Sequence, residues 1–584
     1  MSENINEIII EKNVPAIMRD GVTLRADIYR PKSEGMFPVL LERTPYNKNF
    51  LPLSTLTMDP IAAAEAGYVV VIQDVRGRFQ SEGAPFYMYK NEFNDGYDSV
   101  EWAATLPYSD GNVGMFGASY MGATQWQAAV MEPPHLKAIF PVTWATDAYL
   151  FRGGAFELGL ANYWTINSIG PDAVLKGKAG ESDVMQDFMG LVKEIDNMDE
   201  AYGHLPIKDA PWLQLGNHFA KFYEEIIDHD LYDEFHQNIS VKVKGDNINI
   251  PAFCIAGWYD LLLGQDLDHY KNLIEKGKSQ EVKNNIKLMI GPWAHASFAN
   301  VVGDLNFGLA SSGLLLELKQ DLTKLHLQWF DYWLKGIDNG IHDEAPVKLF
   351  VMGENKWREE QEWPPARTQY IPYYLHSNGN ANSRFGDGTL SIKPPAYEEP
   401  DQYIYNPKDP VPTNGGNILM TSDYVKGPLD QSQIEERKDI LVYSTEKLDR
   451  DIEVTGHVRV KLYASSSAPD TDFVARLIDV HPDGRAYNIA DGIIRARFRN
   501  EDEEPSFIKP GEVYEYNIDL LATSNLFKKG HKIRIEVTSS NFPRYDLNPN
   551  TGKLSKESDK LVTATQTIFH NEKYPSQIIL PIIP

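Results

Sequence analysis

Residues 22–30 alternate apolar and polar side chains, the period-two pattern of a strand with one covered face. Residues 37–42 and 68–72 are instead almost unbroken apolar runs. Strands read this way when helices cover both faces of a parallel sheet. Between these runs lies Asp59-Pro60-Ile61-Ala62-Ala63-Ala64-Glu65-Ala66-Gly67. It has an acceptor side chain at the N-cap, a proline at the first helical position and a glycine at the exit, which predicts a short helix. The alternation continues with helix 98–106, strand 112–116, helix 125–131 and strand 138–142. It resumes with strand 250–256, helix 267–276 and strand 286–290, and then a long helix over 314–334. Strands alternating with helices predict a parallel α/β sheet.

Two stretches break this pattern. From 147 to 246 there are helical periods and polar loops but no strand series, as in a helical insertion. After Pro346, the segments 347–352, 371–375, 440–443, 457–463, 473–480 and 532–537 read as short strands between Gly, Pro, Asn and Asp turns, which predicts a β-sandwich or jelly roll. The expected organisation is a discontinuous α/β domain (1–146 and 247–345), a helical cap (147–246) and a β domain (346–584). The length of 584 residues suits about three or four domains.

Charge and composition narrow the partners. Lys and Arg number 56 against 82 Asp and Glu, a formal charge of −26, which argues against nucleic acid or an anionic membrane as the main partner. A single cysteine, Cys254, rules out an intramolecular disulfide framework. The start, Met1-Ser2-Glu3-Asn4, is polar, and no apolar window approaches the length of a membrane span. A cytoplasmic protein is the expectation.

The chemistry is concentrated in Asn112-Val113-Gly114-Met115-Phe116-Gly117-Ala118-Ser119-Tyr120-Met121-Gly122. A strand runs into a glycine-flanked serine and a helix follows, the setting that lifts a nucleophilic hydroxyl clear of a sheet. Such an elbow usually has its second glycine two positions after the serine; here Met121 stands there and Gly122 follows. Hydrolases of the α/β class place serine, acid and histidine in that order at successive strand ends. Strand 250–256 leads into Gly257-Trp258-Tyr259-Asp260, and strand 286–290 leads into Gly291-Pro292-Trp293-Ala294-His295. Ser119, Asp260 and His295 are therefore the candidate triad. The backbone N–H of Tyr120 is the candidate oxyanion donor next to the nucleophile.

These residues resemble the cocaine esterase and Xaa-Pro dipeptidyl-peptidase family (CocE/NonD hydrolases), nearest its cocaine-esterase branch. Further segments carry the resemblance over nearly the whole chain. They are Gln73-Asp74-Val75-Arg76-Gly77-Arg78, Trp329-Phe330-Asp331-Tyr332-Trp333-Leu334-Lys335-Gly336, Asp470-Thr471-Asp472-Phe473 and Thr538-Ser539-Ser540-Asn541-Phe542-Pro543. The resemblance implies an α/β-hydrolase domain with an inserted helical cap and a C-terminal jelly roll of galactose-binding type. It also implies a second oxyanion donor, the hydroxyl of Tyr46 in Arg43-Thr44-Pro45-Tyr46. Under the cap it implies an acyl pocket walled by Trp164 and Leu262, with Leu419 and Met420 supplied from the turn at Gly415-Gly416-Asn417. No metal or organic cofactor is required.

The substrate implied is a small ester or amide. Dipeptidyl-peptidase and α-amino-ester or cephalosporin acylase activities need a carboxylate for the substrate's ammonium group. Here Leu261-Leu262-Leu263 follow Asp260, which favours neutral acyl groups, although Glu157 of the cap could supply the missing charge. A catalytically silent binding protein on a hydrolase fold is the alternative of a different class, and a homodimer stays open. Asp228-His229-Asp230 reads as a solvated acidic segment rather than a metal site. The stretch 176–182 lacks the spacing of a phosphate loop. Asp470-Thr471-Asp472 reads as turn structure rather than a calcium loop, and Asn238-Ile239-Ser240 is a glycosylation pattern with no secretory route behind it.

Overall fold

The computed structural model describes residues 7–584 except 243, 245, 246 and 501–503. Met1–Asn4 and the predicted end of the cap at 246 thus lie outside the described residues. Ten strands form the first sheet, and its centre is parallel. Phe37–Thr44 lies between Val69–Asp74 and Ser109–Ser119, and beyond the latter follow Leu136–Trp144, Ala252–Tyr259 and Ile286–Ala294. The antiparallel pair Ile8–Ile17 and Thr23–Pro31 closes one edge.

The apolar runs are buried on both faces because successive side chains point opposite ways. Val39, Leu41, Val69 and Val71 pack with Val100, Trp126 and Leu267 of helices Glu92–Ala104, Tyr120–Val130 and Leu263–Lys276. Leu40, Val70 and Ile72 face the other way, onto Ala63 of helix Pro60–Glu65 and Trp329 and Phe330 of helix Leu322–Lys335. Asp59 caps the first of these as its sequence predicts, accepting from the N–H groups of Ile61 and Ala62.

Two expectations are corrected. The long helix begins at Leu322, not at 314: Asp321 caps it, and the preceding residues Glu317 and Leu318 take φ of 52° and 61°, incompatible with a helix. The apolar triplet 314–316 lies in turns. Val347–Val351, in the stretch assigned from sequence to the β domain, pairs onto Ile286–Ala294, and Lys356–Glu360 pairs onto Val347–Val351 to complete the first sheet. Hydrophobic runs of that length do not say which sheet they will join.

Between Asp147 and Ile239 the chain forms short helices joined by loops, with one small hairpin, Phe151–Arg152 with Ala155–Phe156. That hairpin is pressed onto the second sheet: Arg495 donates its N–H to the Gly153 carbonyl at 2.7 Å. A Cβ at Gly153, whose φ is +53°, would meet the Ile493 carbonyl oxygen at 2.1 Å. From Gln369 onward the fold is all β, a twelve-stranded sheet around its own apolar core. Among the described residues no helix is long and apolar enough to cross a membrane.

Candidate active site

The candidate nucleophile, Ser119, sits on a strained backbone turn. Ser119 ends strand Ser109–Ser119 and caps helix Tyr120–Val130 with φ 58° and ψ −122°, a conformation that costs an ordinary residue of order 1–3 kcal/mol. Two glycines permit the turn. A Cβ on Gly117, at φ +125°, would lie 2.6 Å from that of Met121. A Cβ on Gly122 would lie 2.8 Å from that of Trp144 on the neighbouring strand. The displaced glycine therefore serves helix-to-strand contact, and Met121 is accommodated beside Gly117.

Asp260 and His295 follow directly after adjacent parallel strands, Ala252–Tyr259 and Ile286–Ala294. His295 Nε2 lies 3.0 Å from Ser119 Oγ, and Nδ1 lies 2.9 and 3.0 Å from the two oxygens of Asp260. The carboxylate is fully buried and also accepts the Leu262 N–H at 2.8 Å. Asp260 accepts through Nδ1–H, which leaves the Nε2 lone pair facing the serine hydroxyl.

Tyr120 is the first helical residue after the elbow, so its N–H has no acceptor within the helix. Its ring is fixed by buried partners: the hydroxyl donates to Glu92 at 3.0 Å and accepts from the Tyr89 N–H at 3.2 Å. The Tyr46 hydroxyl lines the same pocket as Ser119 and accepts from Trp164 Nε1 at 2.8 Å. Burial raises its pKa, and the Trp164 bond partly offsets the rise. Trp164 stands in a π-helical turn, Trp164–Ile169, a distortion often found at functional sites. Its ring stacks on Tyr120 with centroids 6.2 Å apart and planes inclined by 16°. The sequence marked Trp164 as an apolar wall; its polar role had no sequence signal.

A pocket opens over Ser119 and His295, walled by Tyr46, Tyr89, Trp164, Leu261, Leu262 and Leu419. Met420 is not on that wall. It packs behind the cap, where a Cβ on Gly159 would meet its sulfur at 2.7 Å. Glu157 is also elsewhere, paired with Arg152 at 3.0 Å. The carboxylate that does line the pocket is Asp147, buried, accepting the Tyr149 N–H at 3.0 Å, with its pKa pushed up to about 6 by burial.

Two residues of the β region reach the triad loops. Asn417 donates to the carbonyls of Trp258 and Asp260 at 3.1 and 2.9 Å. The Lys426 ammonium donates to the His295 carbonyl, and burial lowers its pKa. The motifs set aside in the sequence are otherwise engaged. His229 contacts Asp233, Lys178 pairs with Asp183 and Asp187, and Asp470 and Asp472 bind Arg497 and Arg495.

Residues 20–297 match the X-Pro dipeptidyl-peptidase (S15 family), and residues 339–579 match the X-Pro dipeptidyl-peptidase C-terminal non-catalytic domain. The chain is 40% identical over 583 residues to the cocaine esterase of a Rhodococcus species, covering 98% of each. The aminopeptidase of a marine-sediment Thaumarchaeota archaeon superposes with a TM-score of 0.80 at 26% identity, over 100% of this chain and 97% of that one. An α-amino acid ester hydrolase shares the fold, with a TM-score of 0.77 at 24% identity and coverage of 100% and 98%.

Proposed function

Because the chain belongs to the serine hydrolase family that joins cocaine esterase to the S15 X-Pro dipeptidyl-peptidases, we propose that it cleaves esters of neutral acyl groups through Ser119, His295 and Asp260. One observation carries this reading: the unbroken relay from Ser119 Oγ through His295 to the buried Asp260, each step within 3.0 Å. As Oγ attacks the ester carbonyl, His295 Nε2 takes its proton, and Asp260 stabilises the imidazolium. The Tyr46 hydroxyl and the Tyr120 N–H hold the oxyanion. Collapse expels the alcohol, which leaves with the proton from His295. Water, deprotonated by the same nitrogen, then attacks the acyl-serine and returns free Ser119 and a carboxylic acid.

The leucines at 261, 262 and 419 give the acyl group an apolar wall, which favours aromatic or aliphatic acids. The test is labelling with a fluorophosphonate. Ser119 is expected to be the modified residue, and Ser119→Ala to lose both labelling and hydrolysis. Hydrolysis surviving in Ser119→Ala refutes the assignment of Ser119, and a parent chain that neither labels nor hydrolyses any ester restores the silent-binder reading. Asp147 favours a second reading, in which the pocket takes an amine-bearing acyl group against its carboxylate. The kcat/KM of a phenylacetyl ester against the phenylglycyl ester of the same alcohol decides between them, with a glycyl-prolyl anilide as the peptide arm.

A further inference from the structure

At one rim of the β region, strand Asp472–Val480 turns into strand Ala486–Arg495, and beside it the chain enters strand Lys532–Thr538. Asp479 pairs with Ile533 and Val480 with Lys532 in antiparallel register. Continuing that register by one residue sets His481 opposite His531. Alternation along a strand puts Asp479 on the same face as His481, and cross-strand neighbours share a face. The sheet therefore directs one carboxylate and two imidazoles to a common point.

The side chains bear this out. His531 Nδ1 lies 2.8 Å from Asp479 Oδ1, His481 Nε2 lies 3.7 Å from Oδ2, and the two rings are 4.4 Å apart. One ligand atom from each of the three falls within 4.8 Å of the other two. Two ligands bound to a tetrahedral ion at 2.0–2.1 Å stand about 3.3 Å apart, between the two observed separations. Asp479 is 5% exposed, and both of its ion contacts are to histidines. The neighbouring Arg485 is already engaged by Asp483 at 2.6 Å. The backbone is also fixed, since His481 donates its N–H to the Arg485 carbonyl and the His531 carbonyl accepts from Leu448.

We propose that Asp479, His481 and His531 form a binding site for a borderline divalent transition ion such as zinc, separate from the catalytic pocket. Two imidazoles and a carboxylate suit zinc, cobalt or nickel rather than calcium or magnesium, which take oxygen ligands. With three protein ligands and His481 part-exposed, solvent completes the coordination. The ion ties the hairpin 480–486 to the turn before Lys532.

The test titrates the chelator-stripped full chain with zinc chloride by calorimetry, and with cobalt chloride followed by visible absorption. The expected result is one equivalent, with cobalt bands and a higher unfolding temperature with zinc. His481→Ala and His531→Ala are each expected to lose at least about tenfold in affinity, the cost of losing even an outer partner of a metal. Their ester hydrolysis without metal stays at the parent rate, and His135→Ala, a surface control, binds as the parent does. Asp479→Asn gives a third variant should either alanine variant lose stability. No binding by the parent overturns the proposal. So does parent-like binding in both alanine variants, or zinc inhibition of hydrolysis as the sole effect.

Discussion

Replacing Tyr46 with phenylalanine removes a single oxygen, and that oxygen has two partners. Toward Trp164 it is an acceptor at 2.8 Å; in the mechanism proposed above it is also the donor to the oxyanion. Loss of one oxyanion donor costs about 2.7–4 kcal/mol, so kcat should fall about 10²–10³-fold with KM little changed. Loss of the acceptor leaves the Trp164 N–H unpaired in a buried wall, a penalty of about 1–3 kcal/mol that appears as a lower unfolding temperature. Trp164→Phe separates the two effects. It keeps an aromatic ring against Tyr120 but no longer fixes the Tyr46 hydroxyl, worth about 0.5–1.5 kcal/mol or a two- to tenfold loss of kcat. The contribution of Trp164 to kcat runs through that hydroxyl, so the double variant should turn over no more slowly than Tyr46→Phe alone. Stopped-flow kinetics on one ester for all four proteins completes the cycle. Additive losses, or a Tyr46→Phe effect confined to KM, refute the reasoning.

Asn417→Ala and Lys426→Met, which release the acid and base loops, should each lower kcat by about tenfold at nearly constant KM, measured on the same ester. If an ammonium-bearing ester is turned over at all, its 1/KM should rise with pH through about 6, because the Asp147 carboxyl ionises there; Asp147→Asn should flatten that rise. Burial holds His269 and His326 down at about 3, so the unfolded chain binds more protons between there and the ordinary histidine value of about 6.5. Stability is complete above that window and is lost as pH falls through it. His269→Phe, which replaces a ring with no hydrogen-bond partner for either nitrogen, should move the acid-unfolding midpoint to lower pH, read by circular dichroism.

The parallel sheet was legible because burial on both faces writes itself as apolar runs, and the elbow because its turn demands Gly117 and a small residue at 122. Asp260 and His295 became candidates through chain order, since each stands where a predicted strand ends. What the sequence hid depends on contacts between distant segments. Trp164 was expected as an apolar wall, and nothing local to it shows that its indole N–H donates to Tyr46, 118 residues away. Asp147 was not singled out in the sequence, and no local pattern distinguishes its buried carboxylate from Glu157, which pairs with Arg152. Met420 differs from Leu419 by one position, yet in the turn after Asn417 that single step takes it from the pocket wall to the back of the cap.

The same turn explains why an all-β region accompanies this hydrolase. Ile418 and Met420 belong to the apolar cluster that holds the cap together, alongside Leu261 and Leu262 from the acid loop. Leu419 lines the pocket between them, Asn417 fixes the carbonyls around Asp260, and Lys426 fixes the carbonyl of His295. A loop that follows a parallel strand is free on its outer side, because the sheet supplies no further backbone partner there. The carbonyls of two such loops are satisfied by one segment from the β region, so the relative position of acid and base is set by a third element rather than by the two strands alone. The proposed triad, which must hold hydrogen-bond distances near 3 Å, gains from this arrangement, because misplacement by about an ångström can cost a factor of about 10². The polar contacts that define the site thus cross the boundary between the two sheets.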